Sequence, residues 1–273
     1  MSMIKKLLRL VAAVLAASGL PVAAFEQDAP SRDLVEKIVQ AYGGAQLIER
    51  MTALSAEGEI DAFARGTHGT YKRFFQRPRL LRVETSYPGM TETRVLNGQL
   101  AWRVNDLEVI KGDTGPSRQA MIYQYKQLDL PFGLLKGRYN LRFAGEEAVS
   151  DQLTQVLEVW DDEGPAMRVN VDTTAHFIVK VTGVLQSGAK TMSLSAEFSD
   201  FRLIDGTPLP FHINHFAAGI AISETVITRY ALNPVLSSDL FVPRIKGRES
   251  ARGHSGGVLA AVMPTLSAAT SEH

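Results

Sequence analysis

The sequence predicts a mainly β protein with some α-helix, in which two helical segments cover one large antiparallel sheet. Three observations predict this class. Apolar and polar residues alternate with a period of two over most of the chain after residue 53. The links between these runs are short, and short links require antiparallel neighbours, because a parallel pair needs a crossover of about a dozen residues or more. Only two stretches show helical spacing.

The length and composition fit one domain with a single core. The chain has 273 residues and no cysteine, so disulfides cannot contribute to its stability. A chain of this length buries roughly 70 to 75% of its unfolded surface. The absence of cysteine also excludes thiolate chemistry and the acylated cysteine of a bacterial lipoprotein. We therefore expect a protein that is not lipid-anchored.

The first 24 residues have the build of a secretory signal peptide. Three basic residues precede an apolar run from Leu10 to Leu20, and Val22 and Ala24 occupy the minus-three and minus-one positions. A membrane anchor is the alternative, but the run is shorter than the roughly 20 residues that span a bilayer. Cleavage before Phe25 would leave 26 basic and 29 acidic side chains, a net charge of −3. We expect an exported protein without a nucleic-acid partner, because no basic cluster is present.

The first half of the chain is expected to contain one helix followed by strands. SRDLVEKIVQAYGG has an apolar stripe at helical spacing and ends in Gly43-Gly44, a helix stop signal, and AQLIERM adds a shorter helical turn. From Leu54 to Asn105 the period becomes two, which predicts four or five antiparallel strands. Asn97-Gly98 predicts a hairpin with a type I′ turn, whose two central residues both need positive φ.

A second helical segment extends from Ser117 to Gly137. Met121, Tyr125 and Leu128 share one face of this segment, and Pro131 interrupts it. Its high apolar content is typical of a helix packed in the core, but a mobile lid remains the alternative.

The second half of the chain returns to strands with short links. The predicted strands are Leu153 to Trp160, Met167 to Val171, His176 to Leu185, Thr191 to Phe198, Phe201 to Ile204, Leu209 to Phe216 and Ile220 to Tyr230. From about Gly247 the chain is rich in Gly, Ala and Ser, as expected of a poorly ordered tail. We therefore divide the chain into a signal peptide (1–24), one domain (25–245) and a flexible tail (246–273).

The pair His212 and His215 has the spacing of a metal motif only if it lies on a helix. Pro208, Pro210 and the Asp205-Gly206 turn, which precede the pair, predict a strand, where an odd offset sends the two rings to opposite faces. We therefore expect no metal site and no cofactor. Alternation places Leu209, Phe211, Ile213 and His215 on one apolar face, and a three-residue loop would bring His212 opposite Glu224.

The sequence contains no motif for a catalytic nucleophile and no glycine-rich phosphate loop. Nothing argues for an enzyme, so we expect none. If the sheet curls, its apolar face and the helices would enclose a cavity suited to acyl chains; alternatively, the helices fill the interior. Periodicity alone leaves both alternatives open.

Several segments, in this order, resemble the LolA/LolB lipoprotein-sorting fold. FFQRPRLLRVETSYPGMTETRVLNGQLAWRVND has an Arg-Pro pair at a hairpin, then a strand, and then an Asn-Gly turn before a strand with a Trp. MRVNVDTTAHFIVKVTG is similar to the family's strand that ends in an Asp before a turn and a return strand. FSDFRLIDGTPLPFHI and DLFVPRI are similar to its late hairpin and closing Phe-x-Pro segment. The resemblance covers roughly Leu54 to Ile245.

This resemblance implies a large curved antiparallel sheet, an unclosed half-barrel, covered by an N-terminal helix and a lid helix. Its apolar interior would hold the acyl chains of a lipid or lipoprotein in the periplasm, and donor and acceptor proteins at the two membranes would be the partners. AYGGAQLIERM is closer to a broader group of periplasmic LolA-like proteins whose cargo is unassigned. The expected ligand-binding residues are Trp102, Leu100, Met121, Ile122, Tyr125, Phe211 and Ile213.

Three functions follow as hypotheses. The first is a soluble periplasmic carrier or binding protein for lipid or acylated ligands, which does no covalent chemistry. The alternative is a non-enzymatic envelope interaction or stress-sensing module with the same fold. The third, a secreted hydrolase, requires a polar cleft with a nucleophile and a base in contact.

Overall fold

The computed structural model describes residues 28–105, 109–111, 115–187 and 189–242. The predicted signal peptide (1–24) and tail (246–273) lie outside these residues. The helices are α1 (Ala29–Ala41), α2 (Gly44–Arg50) and α3 (Pro116–Leu135), with short 3₁₀ turns at Phe63–Arg65 and Ser238–Phe241. The strands are β1 (Ala53–Ala62), β2 (Thr67–Gln76), β3 (Leu80–Tyr87), β4 (Met90–Asn97), β5 (Leu100–Asn105), β6 (Val109–Lys111), β7 (Asn140–Val149), β8 (Gln152–Trp160), β9 (Met167–Asp172), β10 (Ile178–Ser187), β11 (Lys190–Ile204), β12 (Thr207–Ala217) and β13 (Ile220–Leu232).

All the described strands form one antiparallel sheet in the order β6-β5-β4-β3-β2-β1-β13-β12-β11-β10-β9-β8-β7. Each strand pairs with its neighbour in sequence, except where β1 pairs with β13 and where β6 and β7 end the sheet. Helix α3 connects these two edge strands in the chain. It contacts β3, β4 and β5 on one side and β10 on the other, so the sheet bends around it. The predicted unclosed half-barrel is confirmed.

Local signals explain where the first helix begins and ends. The Asp28 carboxylate accepts a hydrogen bond from the Ser31 amide at 2.7 Å, which caps the N-terminus, and Pro30 lies in the first turn. The helix ends before Gly43, whose φ of 91° few other residues adopt. Its apolar stripe is buried at Leu34 and Ile38 against the sheet.

Several predicted boundaries need correction. Pro131 does not break α3, which continues to Leu135. The hairpin after β4 has Gly98 and Gln99 as its central residues, and of these only Gly98 has positive φ, so the turn is not of type I′. The two strands predicted on either side of Asp200 form one continuous strand, β11. Asp200 lies within it and has a left-handed φ of 53°.

The concave side of the sheet is packed as two groups of buried side chains. The central cluster comprises Leu54, Ala56, Ile60, Tyr71, Phe75, Leu81, Val83, Leu96, Ala101, Met121, Ile122, Tyr125, Ala196, Leu209, Phe211, Ile213, Ile227 and Tyr230. The side cluster comprises Leu34, Ile38, Tyr123, Leu130, Leu134, Tyr139, Leu141, Leu157, Val159, Met167, Val169, Val171, Ile178 and Val181. Helix α3 contributes to both, which explains why it is apolar on more than one face.

Candidate functional site

An apolar cavity lies between α2, α3 and the concave side of the sheet. Its volume is about 70 Å³. Its apolar lining is Ile48, Met51, Leu54, Leu128, Pro131, Ile178, Phe198, Phe201, Pro208, Leu209, Pro210 and Ile213, and its polar lining is Tyr42, Arg73, Arg77, Gln127, Thr207 and Tyr230. The cavity therefore combines a hydrocarbon surface with a few polar groups and no carboxylate.

The size of this cavity decides how the interior can be used. Small-molecule sites typically have a volume of roughly 300 to 1,000 Å³, and 70 Å³ is too small for an acyl chain. Around the cavity, Leu54, Phe75 and Ile213 are at most 1% exposed, so the interior is otherwise filled. A ligand of lipid size needs a rearrangement of one wall.

Arg73 is the most unusual residue of the lining. It lies on β2 between Tyr71 and Phe75, on the face of the strand that points into the half-barrel, and it is 8% exposed. Its Nε has no hydrogen-bond partner. Burial acts to lower the pKa of Arg73, but Tyr71 and Tyr230 outweigh this effect and the pKa is raised. The guanidinium is therefore charged inside an apolar wall.

Arg77 ties the end of β2 to α2 and α3. Its Nε donates to Oδ1 of Asp129 on α3 at 2.5 Å, and its Nη1 donates to the carbonyl oxygens of Ile48, at 3.1 Å, and Met51. Its guanidinium lies 3.8 Å from the ring centroid of Phe132. Burial raises the pKa of Asp129, and the hydrogen bond from Arg77 acts in the opposite direction.

Lys126 provides a second polar link, between α3 and the loop that joins β8 to β9. Its Nζ donates to the Asp161 carboxylate and to the carbonyl oxygen of Glu163, both in the loop between β8 and β9. Lys126 is 3% exposed, and burial lowers the pKa of its ammonium group. Together Arg77 and Lys126 hold α3 against the sheet from both sides.

Three nitrogen donors of the cavity lining lack a partner. They are Arg73 Nε, Arg77 Nη2 and Gln127 Nε2, and each is buried. A buried donor without an acceptor costs about 1 to 3 kcal/mol. The lining is thus rich in donors and poor in acceptors.

The two histidines of the sequence motif lie on opposite faces of β12, as alternation predicts. Nε2 of His212 contacts the Glu224 carboxylate. The residue directly opposite Glu224 is Asn214, however, so the contact is diagonal and the predicted register is wrong by two residues. His215 points into the half-barrel, where burial and the nearby Arg94 and Arg73 lower its pKa to about 4.

The structure separates the seven predicted ligand-binding residues. Ile213 lines the cavity. Met121, Ile122, Tyr125 and Phe211 belong to the packed central cluster. The rings of Tyr125 and Phe75 pack tilted with 5.1 Å between centroids, and Phe211 meets Tyr230 edge-on at 5.2 Å. Ligand binding by these residues stays a prediction.

Trp102 and Leu100 lie on the other face of the sheet. Trp102 pairs with Val95, whereas the alternate residues Ala101 and Leu96 pair in the central cluster. Leu100 is 40% exposed. Trp102 lines a separate depression beside the beginning of α3, together with Ala120 and Met121.

The sequence contains a signal that Arg73 is buried, although Arg73 is not among the seven predicted ligand-binding residues. In the run Tyr71-Lys72-Arg73-Phe74-Phe75, alternation places Arg73 on the face of Tyr71 and Phe75, and a cation on an apolar face indicates a buried charge. Gln127 carried no comparable signal.

Two further observations limit the chemistry of the described residues. They include no group of three or more His, Cys, Asp or Glu side chains arranged to hold a metal ion. Across the same ranges, no helix combines the length and the apolar character needed to cross a bilayer.

The architecture is that of an unclosed antiparallel barrel wrapped around a helix, and comparison with solved structures places it among LolA-like folds. No model of a protein family and no curated protein sequence matches the chain. A LolA superfamily protein from Nitrosomonas europaea aligns with a TM-score of 0.52 and 15% identity, over 78% of this chain and 97% of its own. A domain named for outer-membrane lipoprotein sorting, from Vibrio parahaemolyticus, has a TM-score of 0.50 and 14% identity, over 78% and 96%.

A DUF1329 family protein from Desulfovibrio piger has a TM-score of 0.52 and 13% identity, over 78% of this chain and 97% of its own. At such identities the comparison shows the fold. The resemblance predicted from the sequence is confirmed at that level.

Proposed function

We propose that this protein is a non-enzymatic periplasmic binding protein that takes up a lipid or an acylated protein ligand reversibly inside the half-barrel. The observation that carries the proposal is the apolar cavity between α3 and the concave sheet. Each CH₂ group buried there contributes about 0.8 kcal/mol without any directional bond. The LolA-like fold and the predicted signal peptide support this reading.

Binding requires α3 to move outward, because the present cavity is too small for an acyl chain. The contacts that hold α3 in place include the buried ion pair of Arg77 with Asp129 and the partly buried ion pair of Lys126 with Asp161. Buried ion pairs add little net stability, because the attraction roughly offsets the cost of removing both charges from water. The helix is therefore held in position by contacts that a ligand of sufficient apolar area can replace.

The packed interior favours a second candidate, an interaction module that uses the sheet only as a scaffold. A cavity of 70 Å³ is the observation behind it. This candidate predicts that the protein takes up no acyl probe and that crosslinking recovers a protein partner.

A reversible disulfide between α3 and the loop that joins β8 to β9 distinguishes the two candidates. A Cβ built on Gly164 lies 3.4 Å from Cβ of Ile122, close to the distance a disulfide needs. The chain has no cysteine of its own, so Ile122→Cys with Gly164→Cys forms one defined bond. We expect the oxidised double variant to lose uptake of a fluorescent fatty acid, and the reduced double variant to regain it.

The single variant Ile122→Cys under the same oxidant controls for the substitution and for oxidation. The reduced double variant controls for strain at Gly164, whose φ is 75°. Equal uptake by oxidised and reduced protein would contradict the movement of α3. If the wild-type protein takes up no probe and mass spectrometry of native protein finds no extracted lipid, the binding function itself is wrong.

A further inference from the structure

The unpartnered donors of the cavity carry information about the ligand. Among the described residues, five buried side-chain polar atoms have no hydrogen-bond partner, and three of them, on Arg73, Arg77 and Gln127, line this one cavity. All three are N–H donors. A ligand that satisfies them must present acceptor atoms.

Arg73 and Arg77 differ in how their charge is balanced. Arg77 has the Asp129 carboxylate at 2.5 Å. Within the described part of the chain, no carboxylate lies within ion-pair distance of Arg73, and its polar neighbours are the hydroxyl groups of Tyr71 and Tyr230. Arginine does not lose its proton in proteins. The interior therefore carries one positive charge that no described acid balances.

A buried charge without a counter-ion is expensive, and a carboxylate or phosphate is its natural complement. We propose that the ligand is an anionic amphiphile whose carboxylate or phosphate head group binds Arg73 while its hydrocarbon chain lies along Leu54, Leu209 and Ile213. This inference rests on the proposed binding function and adds the charge and the orientation of the ligand.

The burial of Arg73 also determines which end of the ligand enters first. At 8% exposure the guanidinium lies inside the half-barrel and not at its mouth. The head group is thus buried and the chain extends from it across the apolar lining. A cationic amphiphile would be rejected, because it would place a second positive charge beside Arg73.

The test compares three single-chain probes of equal length: dodecanoate, dodecyl phosphate and neutral dodecanol. The affinity of each is measured at about pH 8, where both acids are ionised, for wild type and for Arg73→Met. Lys72→Met is the matched control, because Lys72 is the adjacent exposed residue, on the opposite face of β2. We expect wild type and Lys72→Met to bind the better anion at least about tenfold more tightly than dodecanol, as a charge-assisted hydrogen bond allows.

In Arg73→Met the preference should fall to within about twofold, with dodecanol binding retained. The anion that the wild-type protein binds more tightly identifies the head group as a carboxylate or a phosphate. Equal affinity of wild type for the anions and dodecanol would overturn this inference and leave the binding function intact. Absence of binding by all three probes would overturn the binding function and this inference with it.

A second measurement separates ligand recognition from a structural role. Without ligand, Arg73→Met should melt at the same temperature as wild type or higher, because it removes an unbalanced buried charge. A lower melting temperature together with equal loss of all three probes would show that Arg73 only supports the fold, and would overturn the inference.

Discussion

The two halves of the interior use the same sheet in different ways. The side cluster, under α1 and the second half of α3, consists of apolar side chains such as Leu157, Val159 and Val169, all at 0% exposure. The central cluster has a similar apolar content but surrounds the cavity, and the buried Arg73 and Thr225, whose hydroxyl has no partner, lie on the same part of the sheet. Of the five unpartnered buried polar atoms in the described residues, four lie in the central half, and the fifth, Ser31 Oγ, lies on α1.

This difference indicates where folding and binding are separated. In the side cluster the side chains are mostly apolar, and the Tyr123 hydroxyl has a partner in the Val181 carbonyl oxygen, so close packing stabilises the cluster without a ligand. A cluster with unpartnered donors gives up stability there, and natural proteins tolerate this mainly at functional sites. We therefore expect substitutions in the side cluster to change stability, and substitutions near the cavity to change ligand affinity.

The largest effect should come from a leucine in each half. Leu157→Ala in the side cluster should lower the free energy of unfolding by about 3 to 4 kcal/mol, because a fully buried leucine leaves a cavity behind. Leu209→Ala should cost less, about 2 kcal/mol, because Leu209 already borders a cavity and is 8% exposed.

Urea denaturation and dodecanol binding measure the two properties in both variants. Leu157→Ala should leave the affinity unchanged, and Leu209→Ala should weaken it by about 1 kcal/mol, through lost apolar contact. Equal loss of affinity in both variants would contradict the assignment of stability to the side cluster and of ligand binding to the central cluster.

A smaller effect should come from the pH dependence of the central half. His215 has a folded pKa of about 4 against an ordinary value of 6.5, because of burial, Arg94 and Arg73. Between these values the unfolded chain binds a proton that the folded chain does not. The stabilising contribution is therefore complete above about pH 6.5 and is lost as the pH falls towards about 4.

For His215→Gln we expect a pH dependence of stability that is shallower by about 2 kcal/mol over this range, less than the full shift implies because the ring is only half-buried. Urea denaturation at several pH values measures it. The pKa of the exposed His68 is raised from 6.5 by its hydrogen bond with Asp61, so the contribution of His68 to stability changes mainly above that pH. His68→Gln is therefore a control that should leave the loss of stability in acid unchanged. Identical curves for wild type and His215→Gln would place His215 in contact with water.

The sheet could be predicted from the sequence because its signals are local. Alternation between residues 54 and 105 and the short links predicted an antiparallel β fold. The two-residue period of a strand alone placed His212 and His215 on opposite faces. Strand β7 was missed because Gly145, Glu146 and Glu147 break the alternation, where its pairing with β8 shifts register. Here the neighbouring strand, and not the local pattern, sets the structure.

The candidate site was predicted less well because it depends on which face of each strand is concave. Leu100 and Trp102 alternate correctly, but the apolar face they share is the convex one. The cavity lining instead draws on α2, α3 and six strands that are distant in sequence. No local pattern reports such convergence.

The smallest effect concerns the fluorescence of Trp102. Trp102 lines a depression with Ala120 and Met121 of α3, so movement of the helix should shift its emission slightly even though it does not reach the cavity. We expect Trp102→Phe to remove most of the change seen on adding dodecanoate, while Trp160, at the far end of β8, gives little. An undiminished response in Trp102→Phe would place the reporter at Trp160 instead.

Helix α3 has one further consequence, which comes from its place in the chain. It joins β6 to β7, the two strands at the ends of the described sheet, so the movement of α3 that we propose would pull on both edge strands at once. The occupied volume of the interior and the separation of the two edge strands would then change together. A protein that docked on either rim would be able to distinguish a loaded molecule from an empty one without touching the ligand.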